Sequence, residues 1–251
     1  MNRWIVKALC VLVVMFNVFA HADEQQVNIA VAANFAQPVK HFAEAFEKKT
    51  GIKPIITVSS SGTLYAQIQH GAPFDVFLSA DALRPEKLVA EGLAEKQTLR
   101  SYATGRLALV SRSGAPDSLN AFVSRKFDKP VAIANPKLAP YGLAASQALG
   151  TLPADTALPF RQVQGKNILQ TYQYFTSGNV DDAFVAWSLV KRSNYSYLLI
   201  PDDYHAPIVQ KMVIIKDSAH PYAARRFMQY LLSAKVQKSL MDWGYQSAGK
   251  R

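Results

Sequence analysis

The feature that most constrains the fold is a regular alternation of short β-rich segments with helical segments. VNIAVAAN is followed by NFAQPVKHFAEAFEKKTG, and KPIITVSS is followed by TLYAQIQHG. Ile29 and Val31 alternate as in a buried strand, whereas Phe42 and Phe46 fall on one face of a helix. Repeated strand–helix units predict a parallel sheet with right-handed crossovers.

A second set of such units occupies the middle of the chain. KPVAIANP precedes YGLAASQALG, FRQVQGKN precedes ILQTYQYFTSG, and the β-rich segments DDAFVAW and YSYLLIP follow. The strand IVQKMVIIK then leads into a long amphipathic helical stretch over residues 221–244, and these C-terminal helices are expected to pack back on the first lobe. Because no low-complexity linker separates the two sets, we expect two lobes joined by extended segments, for which YATGRLALVSR and HAPIVQKMVIIK are the candidates.

The first 22 residues have the pattern of a signal peptide. Arg3 and Lys7 precede an apolar stretch, residues 8–19, which is too short to span a membrane with confidence, and a small-residue cleavage site predicts processing after Ala22. We therefore expect a soluble, exported protein. Cys10 is the single cysteine of the chain, so the mature protein is expected to have no disulfide and no thiolate metal site.

The basic residues are scattered over the chain, although the formal net charge is +10. They occur in pairs such as Lys48-Lys49 and Arg225-Arg226, and no basic stripe is interleaved with aromatic residues. Pairs of this kind are typical of a solvated surface, and we expect no nucleic-acid partner.

An exported hydrolase is the enzyme alternative, and the sequence gives it little support. The chain has no G-x-S-x-G motif and no H-E-x-x-H motif. His41, His70, His205 and His220 are isolated in the sequence, and each is predicted to be solvated or bonded locally. We expect no enzyme activity, no catalytic residue and no cofactor.

Four predicted strand-to-helix turns carry small or polar residues where the helix begins. They are residues 33–34, 59–63, 140–142 and 165–168. The first N–H groups of a helix lack intrahelical acceptors, and together with the helix dipole they attract an anion. In open α/β sheets such turns gather at the carboxyl ends of the strands, so two turns from each lobe are expected to surround one oxyanion.

The second of these turns, SSSGT, supplies hydroxyl groups and no cationic side chain. Neutral donors bind an ionised oxyanion without fixing a counter-charge, and each hydrogen bond to a charged group contributes about 1.5–3 kcal/mol. Several such donors together offset the desolvation of the anion. Plain capping of a helix is the alternative interpretation of a serine-rich turn.

VAAN, SSSGTLYAQIQHGAPFDVFLSAD, ANPKLAPYGLAA and DWGY occur in the order seen in a known family. With these motifs the chain resembles the periplasmic molybdate-binding proteins of ABC importers over nearly the whole mature sequence. The resemblance implies a type 2 periplasmic binding protein, an α/β protein with two lobes joined by a hinge. Each lobe would be a mixed, mostly parallel sheet flanked by helices. The ligand would be molybdate or tungstate. The partner would be an ABC permease in the inner membrane, which receives the ligand from the binding protein, and the binding protein would be a monomer.

The resemblance also implies a set of anion-binding positions. It places donors at Asn34 and Ser61 and at the backbone N–H groups of Tyr141 and Ile168. The secondary candidates are Ala33, Ser60 and Asn167. No metal is expected other than the molybdenum or tungsten of the oxyanion itself.

At two positions the chain departs from the best-known members of that family. Asn34 replaces a serine, and Ala186 replaces a ligand tyrosine, as in a branch that pairs an asparagine with a tyrosine at the third turn. Tyr141 is therefore the candidate for the donor missing at Ala186. Each position also has a structural alternative, which is helix capping for Asn34, a bond within its own turn for Ser61 and packing for Tyr141.

Asp75 and Asp81 lie in the most specific motif, GAPFDVFLSAD, but a carboxylate would repel an oxyanion. We expect both to serve in capping or in the hinge. The predicted limits are 1–22 for the signal peptide, 23–105 plus 211–251 for lobe 1 and 106–210 for lobe 2.

Three other ligands remain alternatives on the same fold. Phosphate is partly protonated and would require an acceptor, which the predicted set lacks, and sulfate differs from molybdate mainly in size. Ferric-ion binders use paired tyrosines. The spacing of Tyr195 and Tyr197 is that of ordinary packing on one face of a strand, and the helical spacing of Tyr172 and Tyr174 sends their rings to different sides.

Overall fold

The computed structural model describes residues 25–153 and 157–246. The predicted signal peptide and its cleavage site lie outside the described residues. Within those ranges, no helix combines the length and the apolar character needed to cross a membrane.

Ten strands form two five-stranded sheets in the described part of the chain. The strands are β1 (Gln26–Ala32), β2 (Lys53–Ser59), β3 (Val76–Leu78), β4 (Arg100–Gly105), β5 (Leu107–Ser111), β6 (Val131–Ala134), β7 (Gln162–Gly165), β8 (Asp182–Ala186), β9 (Ser196–Leu199) and β10 (Ile208–Ile214). The helices are α1 (Ala36–Thr50), α2 (Ser61–Gln69), α3 (Leu83–Ala90), α4 (Leu119–Val123), α5 (Pro140–Leu149), α6 (Ile168–Thr176), α7 (Trp187–Val190), α8 (Pro221–Leu231) and α9 (Ala234–Leu240).

Both sheets are mixed, which confirms the predicted two-lobe α/β fold. The first has the order β2-β1-β3-β10-β4, and the second has the order β7-β6-β8-β5-β9. In the first sheet β1 is parallel to β2 and β3, while β10 is antiparallel to β3 and β4. In the second, β6 is parallel to β7 and β8, while β5 is antiparallel to β8 and β9. The antiparallel pairs involve β10 and β5, because each of these strands enters its sheet from the other lobe.

The chain crosses between the sheets twice. It leaves the first sheet at Gly105 and enters the second at Leu107, and it returns over residues 200–207 before β10 begins at Ile208. The predicted limit of lobe 2 at residue 210 falls inside β10, so we propose that lobe 1 resumes at Ile208. The lobe limits otherwise stay a prediction.

The predicted helical stretch near the C-terminus is present, and its helices pack on the first lobe as expected. The stretch is divided into α8 and α9, and Ser233 between them has an extended backbone with φ −62° and ψ 145°. Periodicity continues across the break because both helices bury their apolar faces against the same sheet. The short helices α4 and α7 were not predicted, since five and four residues give too little periodicity to detect.

Each sheet is covered on both faces by apolar side chains. In the first lobe α1, α8 and α9 pack on one face through residues such as Phe46 and Phe227, while α2 and α3 cover the other face through Leu64 and Leu88. The larger core of the second lobe also includes Ala33 and other alanines of the first lobe. The two lobes are therefore in direct contact.

A buried carboxylate joins three segments of the first lobe. Asp75 Oδ2 accepts from the backbone N–H of Asn28 at 2.6 Å and lies 2.9 Å from His220 Nδ1. Asp75 Oδ1 accepts from Ser218 Oγ at 2.7 Å and from the His220 N–H at 3.2 Å. The prediction of a solvated or locally bonded His220 is wrong, because its partner lies 145 residues away in the sequence. The structural role predicted for Asp75 agrees with these contacts.

We expect Asp75→Ala to lower the free energy of unfolding by about 3 kcal/mol or more, since each buried donor left without a partner costs about 1–3 kcal/mol. Urea unfolding monitored by circular dichroism measures the change. The exposed Asp217 serves as the matched control, and Asp217→Ala is expected to change the stability little. Equal stability of the two variants would contradict the structural role of Asp75.

Candidate functional site

Four strand-to-helix turns meet at one cavity between the lobes. Two turns follow the parallel neighbours β1 and β2, and two follow the parallel neighbours β6 and β7. Each sheet thus brings two helix starts to the same edge. The cavity is lined by Ala32, Ala33, Asn34, Ser60, Ser61, Ala80, Ala139, Pro140, Tyr141, Asn167 and Ile168. All four predicted ligand residues and all three secondary candidates are therefore brought together.

The cavity is small and its lining is uncharged. The volume of the cavity is about 10 Å³, far below the roughly 300–1,000 Å³ of pockets that bind drug-sized ligands. None of the described residues in its lining is Lys, Arg, Asp or Glu. Arg84 lies nearby at the edge of the cleft, paired with Asp81, whose Oδ1 also accepts from the backbone N–H of Arg84 at 3.0 Å. Asp81 therefore caps α3, as predicted.

At the second turn, two neighbouring serines have different roles. Ser60 is the N-cap of α2, and its Oγ accepts from the Thr63 N–H at 3.1 Å. Ser61 is the first residue of α2, and its Oγ accepts from the Ala80 N–H at 2.9 Å. The Ser61 hydroxyl proton and backbone N–H are thus available to an anion. The capping interpretation applies to Ser60 and not to Ser61.

At the first turn, Asn34 does not cap α1, so the alternative interpretation given for this residue is wrong. Asn34 lies in a 3₁₀ turn, Ala33–Phe35, and its side chain makes no capping bond. Its Nδ2 donates to Gln210 Oε1 at 2.9 Å and to the Tyr245 hydroxyl at 3.1 Å. Its Oδ1 is buried and has no hydrogen-bond partner among the described residues. This amide is held by distant side chains, and not by its own helix.

At the third turn, a close contact between α5 and β6 fixes the position of the Tyr141 N–H. Pro140 begins α5, so Tyr141 is its second residue and has no intrahelical acceptor. A Cβ atom on Gly142 would lie 2.1 Å from the carbonyl oxygen of Ala134 at the end of β6. Only glycine allows this approach, which brings the start of α5 against the end of the strand.

The Tyr141 phenol lies against Gly105 and Gln210, beside the two places where the chain crosses between the lobes. Its hydroxyl accepts from Gln210 Nε2 at 3.1 Å, and a Cβ atom on Gly105 would lie 2.0 Å from it. Burial raises the pKa of Tyr141 well above its usual value, and burial likewise raises the pKa of Tyr102 and of Tyr245. All three phenols therefore stay protonated and neutral at physiological pH.

At the fourth turn, the side chain of Asn167 caps α6. Asn167 Oδ1 accepts from the Gln170 N–H at 2.9 Å. Ile168 is the first residue of α6, and its backbone N–H has no intrahelical acceptor. The Ile168 side chain is buried in the core of lobe 2, as predicted. The donor of this turn is thus a backbone group.

Hydrogen bonds join the two lobes beside the cavity. The Gly62 N–H in α2 donates to the carbonyl oxygen of Leu138 at 2.9 Å, and Arg84 Nη2 donates to the carbonyl oxygen of Lys137 at 2.9 Å. Both acceptors lie in the segment between β6 and α5 of the other lobe. The cleft is therefore closed in this structure.

Comparison with known proteins agrees with this architecture. A family model described as bacterial extracellular solute-binding protein matches residues 27–246. This chain belongs to that family.

This solute-binding protein is similar to molybdate-binding proteins over most of its length. It is 40% identical over 229 residues to the molybdate-binding protein ModA of Azotobacter vinelandii, covering 89% of this chain and 91% of that one. It is 38% identical over 221 residues to ModA of Rhodobacter capsulatus, covering 88% of each chain. The solved structure of an Azotobacter vinelandii periplasmic molybdate-binding protein superposes with a TM-score of 0.80 at 35% identity, covering 88% of this chain and 98% of that one. The resemblance stated from the motifs is confirmed.

The position of the missing tyrosine is a tightly packed alanine. Ala186 ends β8 and is completely buried. Just beyond it, Ser188 Oγ donates to the backbone oxygen of Asn34 at 3.2 Å and lies 3.1 Å from the Tyr245 hydroxyl. The Tyr141 phenol, the candidate replacement, is engaged with Gln210.

Sequence reasoning missed the residues that hold Asn34. Gln210, Tyr102 and Tyr245 are buried and hydrogen-bonded to one another or to Asn34. Gln210 did carry a signal, since it is a polar residue at a buried position of the strand IVQKMVIIK. Tyr245 belongs to the motif DWGY, for which the sequence suggested no role.

The tyrosine pairs considered for ferric ion lie elsewhere in the second lobe. Tyr172, Tyr174, Tyr195 and Tyr197 pack around Phe175 and its neighbours, and in the part of the chain that the structure describes none of them lines the cavity. Within the described ranges, no three His, Cys, Asp or Glu side chains are grouped so that they could hold a metal ion. The packing interpretation of these pairs agrees with the structure.

With molybdate as the probe, we expect Ser61→Ala to weaken binding by about 10- to 100-fold, since it removes one hydrogen bond of about 1.5–3 kcal/mol to a charged group. Because the Ala80 N–H also loses its acceptor, the unliganded protein is expected to be less stable, by about 1–3 kcal/mol. Isothermal titration calorimetry and thermal melting measure the two effects separately.

Ser60→Ala is the matched control for this variant. It removes the cap of α2 and is expected to lower stability by about 1 kcal/mol while leaving the affinity close to that of the unchanged protein. An unchanged affinity in Ser61→Ala would show that the Ser61 hydroxyl is only a turn group.

Proposed function

We propose that this protein is a periplasmic solute-binding protein that captures molybdate or tungstate between its lobes and delivers it to an ABC permease. The observation that carries the proposal is the meeting of four helix-start turns, two from each lobe, at a small cavity with an uncharged lining. The names of the Azotobacter and Rhodobacter relatives support the identity of the anion. The protein would act as a monomer, without enzyme activity or a cofactor.

The proposed donors come from both lobes. Lobe 1 supplies the side chain of Asn34 and the hydroxyl and N–H of Ser61, and lobe 2 supplies the N–H groups of Tyr141 and Ile168. Each bond to the dianion contributes about 1.5–3 kcal/mol, so the set offsets much of the cost of desolvation. Because donors of both lobes share one ligand, the anion stabilises the closed cleft over the open one.

The secondary candidates have narrower roles in this proposal. The side chains of Ser60 and Asn167 are occupied in capping their helices. They and Ala33 therefore shape the turns, and any direct bond from these residues to the anion comes from the backbone.

The location follows from the same proposal. A mature chain released after Ala22 would reach the periplasm, where the relative of known structure is named as periplasmic. Export and capture of an anion outside the inner membrane are the steps that a permease requires from such a partner.

The test is a thermal melting series with molybdate, tungstate, sulfate, phosphate and ferric citrate. Binding stabilises the native state by RT ln(1 + [L]/Kd), which is about 2.7 kcal/mol at a hundredfold excess over Kd and corresponds to roughly 5–10 °C for a protein of this size. We expect this shift at a hundredfold excess of molybdate or tungstate over Kd, and a much smaller one with the other three at the same concentration.

The pattern of shifts separates the alternatives. A larger shift with sulfate or phosphate would assign another oxyanion to the same site, and a shift with ferric citrate alone would assign a cation. Absence of any shift with molybdate and tungstate would contradict the proposed function.

A further inference from the structure

Gln210 is a buried glutamine at the junction of the two lobes. It lies in β10, the strand that follows the second crossing, and its side chain is completely buried. Its amide is within hydrogen-bond distance of three groups, which are Asn34 Nδ2 at 2.9 Å, the Tyr102 hydroxyl at 2.9 Å and the Tyr141 hydroxyl at 3.1 Å. Gln210 thus connects an anion-binding side chain of lobe 1 to a tyrosine of lobe 2.

The amides of Asn34 and Gln210 have two coupled orientations. The two ends of a primary amide have nearly the same shape, so a half-turn exchanges its oxygen and nitrogen with little change in packing. In the first orientation, which is the one in this structure, Asn34 Nδ2 donates to Gln210 Oε1, and Gln210 Nε2 donates to the Tyr141 hydroxyl. If only one amide turned, two oxygens or two nitrogens would face each other, so the two amides must turn together.

In the first orientation some buried polar atoms lack a hydrogen-bond partner or compete for one. Among the described residues Asn34 Oδ1 has no partner, and the single proton of Tyr102 has two acceptors, Gln210 Oε1 at 2.9 Å and the Ser79 carbonyl at 3.1 Å. Because both donors of Asn34 Nδ2 are directed at Gln210 and Tyr245, the side-chain atom that remains for the cavity is an oxygen. An oxygen there would repel an oxyanion.

The second orientation satisfies the same groups. Gln210 Nε2 then donates to Asn34 Oδ1 and to the Tyr102 hydroxyl, whose proton goes to the Ser79 carbonyl, and Gln210 Oε1 accepts from Tyr141. The Tyr245 proton, which in the first orientation goes to the Asn34 backbone oxygen at 2.8 Å, then goes to Asn34 Oδ1, and that backbone oxygen keeps the bond from Ser188 Oγ at 3.2 Å. The Asn34 Nδ2 group is thereby released to face the cavity as a donor.

We propose that Gln210 is a positioning residue that holds the Asn34 amide with its nitrogen towards the anion and so determines specificity. This inference rests on the proposed function. A cavity lined only by donors accepts a fully ionised oxyanion and disfavours hydrogen phosphate, whose P–OH group requires an acceptor. Since the chain of bonds ends at Tyr141 in the other lobe, it is complete only when the cleft is closed.

The experiment compares Gln210→Glu and Gln210→Met with the unchanged protein by isothermal titration calorimetry, with molybdate and inorganic phosphate as ligands. A carboxylate at position 210 only accepts, so it draws Asn34 Nδ2 away from the cavity. A methionine at position 210 makes no directional hydrogen bond, so the Asn34 amide is free to adopt either orientation. We expect molybdate affinity to fall about 10- to 100-fold in Gln210→Glu and by a smaller factor in Gln210→Met.

The decisive measurement is the ratio of molybdate affinity to phosphate affinity. If Gln210 had a purely structural role, its substitution would leave this ratio unchanged. We expect this ratio to fall in both variants, because Asn34 Oδ1 then offers the P–OH group an acceptor. Thermal melting of the unliganded variants separates this effect from a loss of stability, and Gln210→Met tests the proposal without an added charge if Gln210→Glu fails to fold.

Each outcome decides the inference. An unchanged ratio in Gln210→Met, with the unliganded protein folded, would overturn the positioning role while leaving the proposed function intact. Failure of the unchanged protein to bind molybdate would overturn both. A lower ratio in a folded variant supports the inference.

Discussion

The proposed site depends on one electrostatic constraint, which is that a dianion taken out of water needs hydrogen-bond donors in place of its hydration shell. Water around the ion has to be replaced by N–H and O–H groups, since an unpaired buried charge costs many kcal/mol. Helix starts provide such groups in fixed directions, and the carboxyl ends of β1, β2, β6 and β7 bring four of them to one point. The order of strands in both sheets is thus what makes the cavity suitable for an anion.

Neutral donors also suit a protein that must release its ligand. In the proposed site no single lobe supplies the whole set, so opening the cleft would remove the Tyr141 and Ile168 donors from an anion left on lobe 1. The contacts that fix the closed state are close and tolerate little extra volume, as at Gly62, where a Cβ atom would lie 3.0 Å from the carbonyl oxygen of Leu138 in the other lobe. Tight binding and release therefore depend on the same closure.

Local patterns in the sequence predict much of the fold and the positions of the turns, but not the contacts between distant residues. The helix starts at Ser61 and Ile168 are visible because periodicity changes there from strand to helix. Capping by Asn34 was a reasonable prediction that failed, because its partners Gln210 and Tyr245 lie 176 and 211 residues away. His220 and Asp75 were missed as a pair for the same reason. The break at Ser233 escaped detection because both helices face one core.

The most direct test of the account is a crystal structure of the protein with molybdate, with the metal located by its anomalous scattering. The account predicts molybdenum in the cavity lined by Asn34, Ser61, Tyr141 and Ile168, with its oxygens accepting only from uncharged N–H and O–H groups. A lysine or arginine bonded directly to the anion, or a metal cation in its place, would contradict the account.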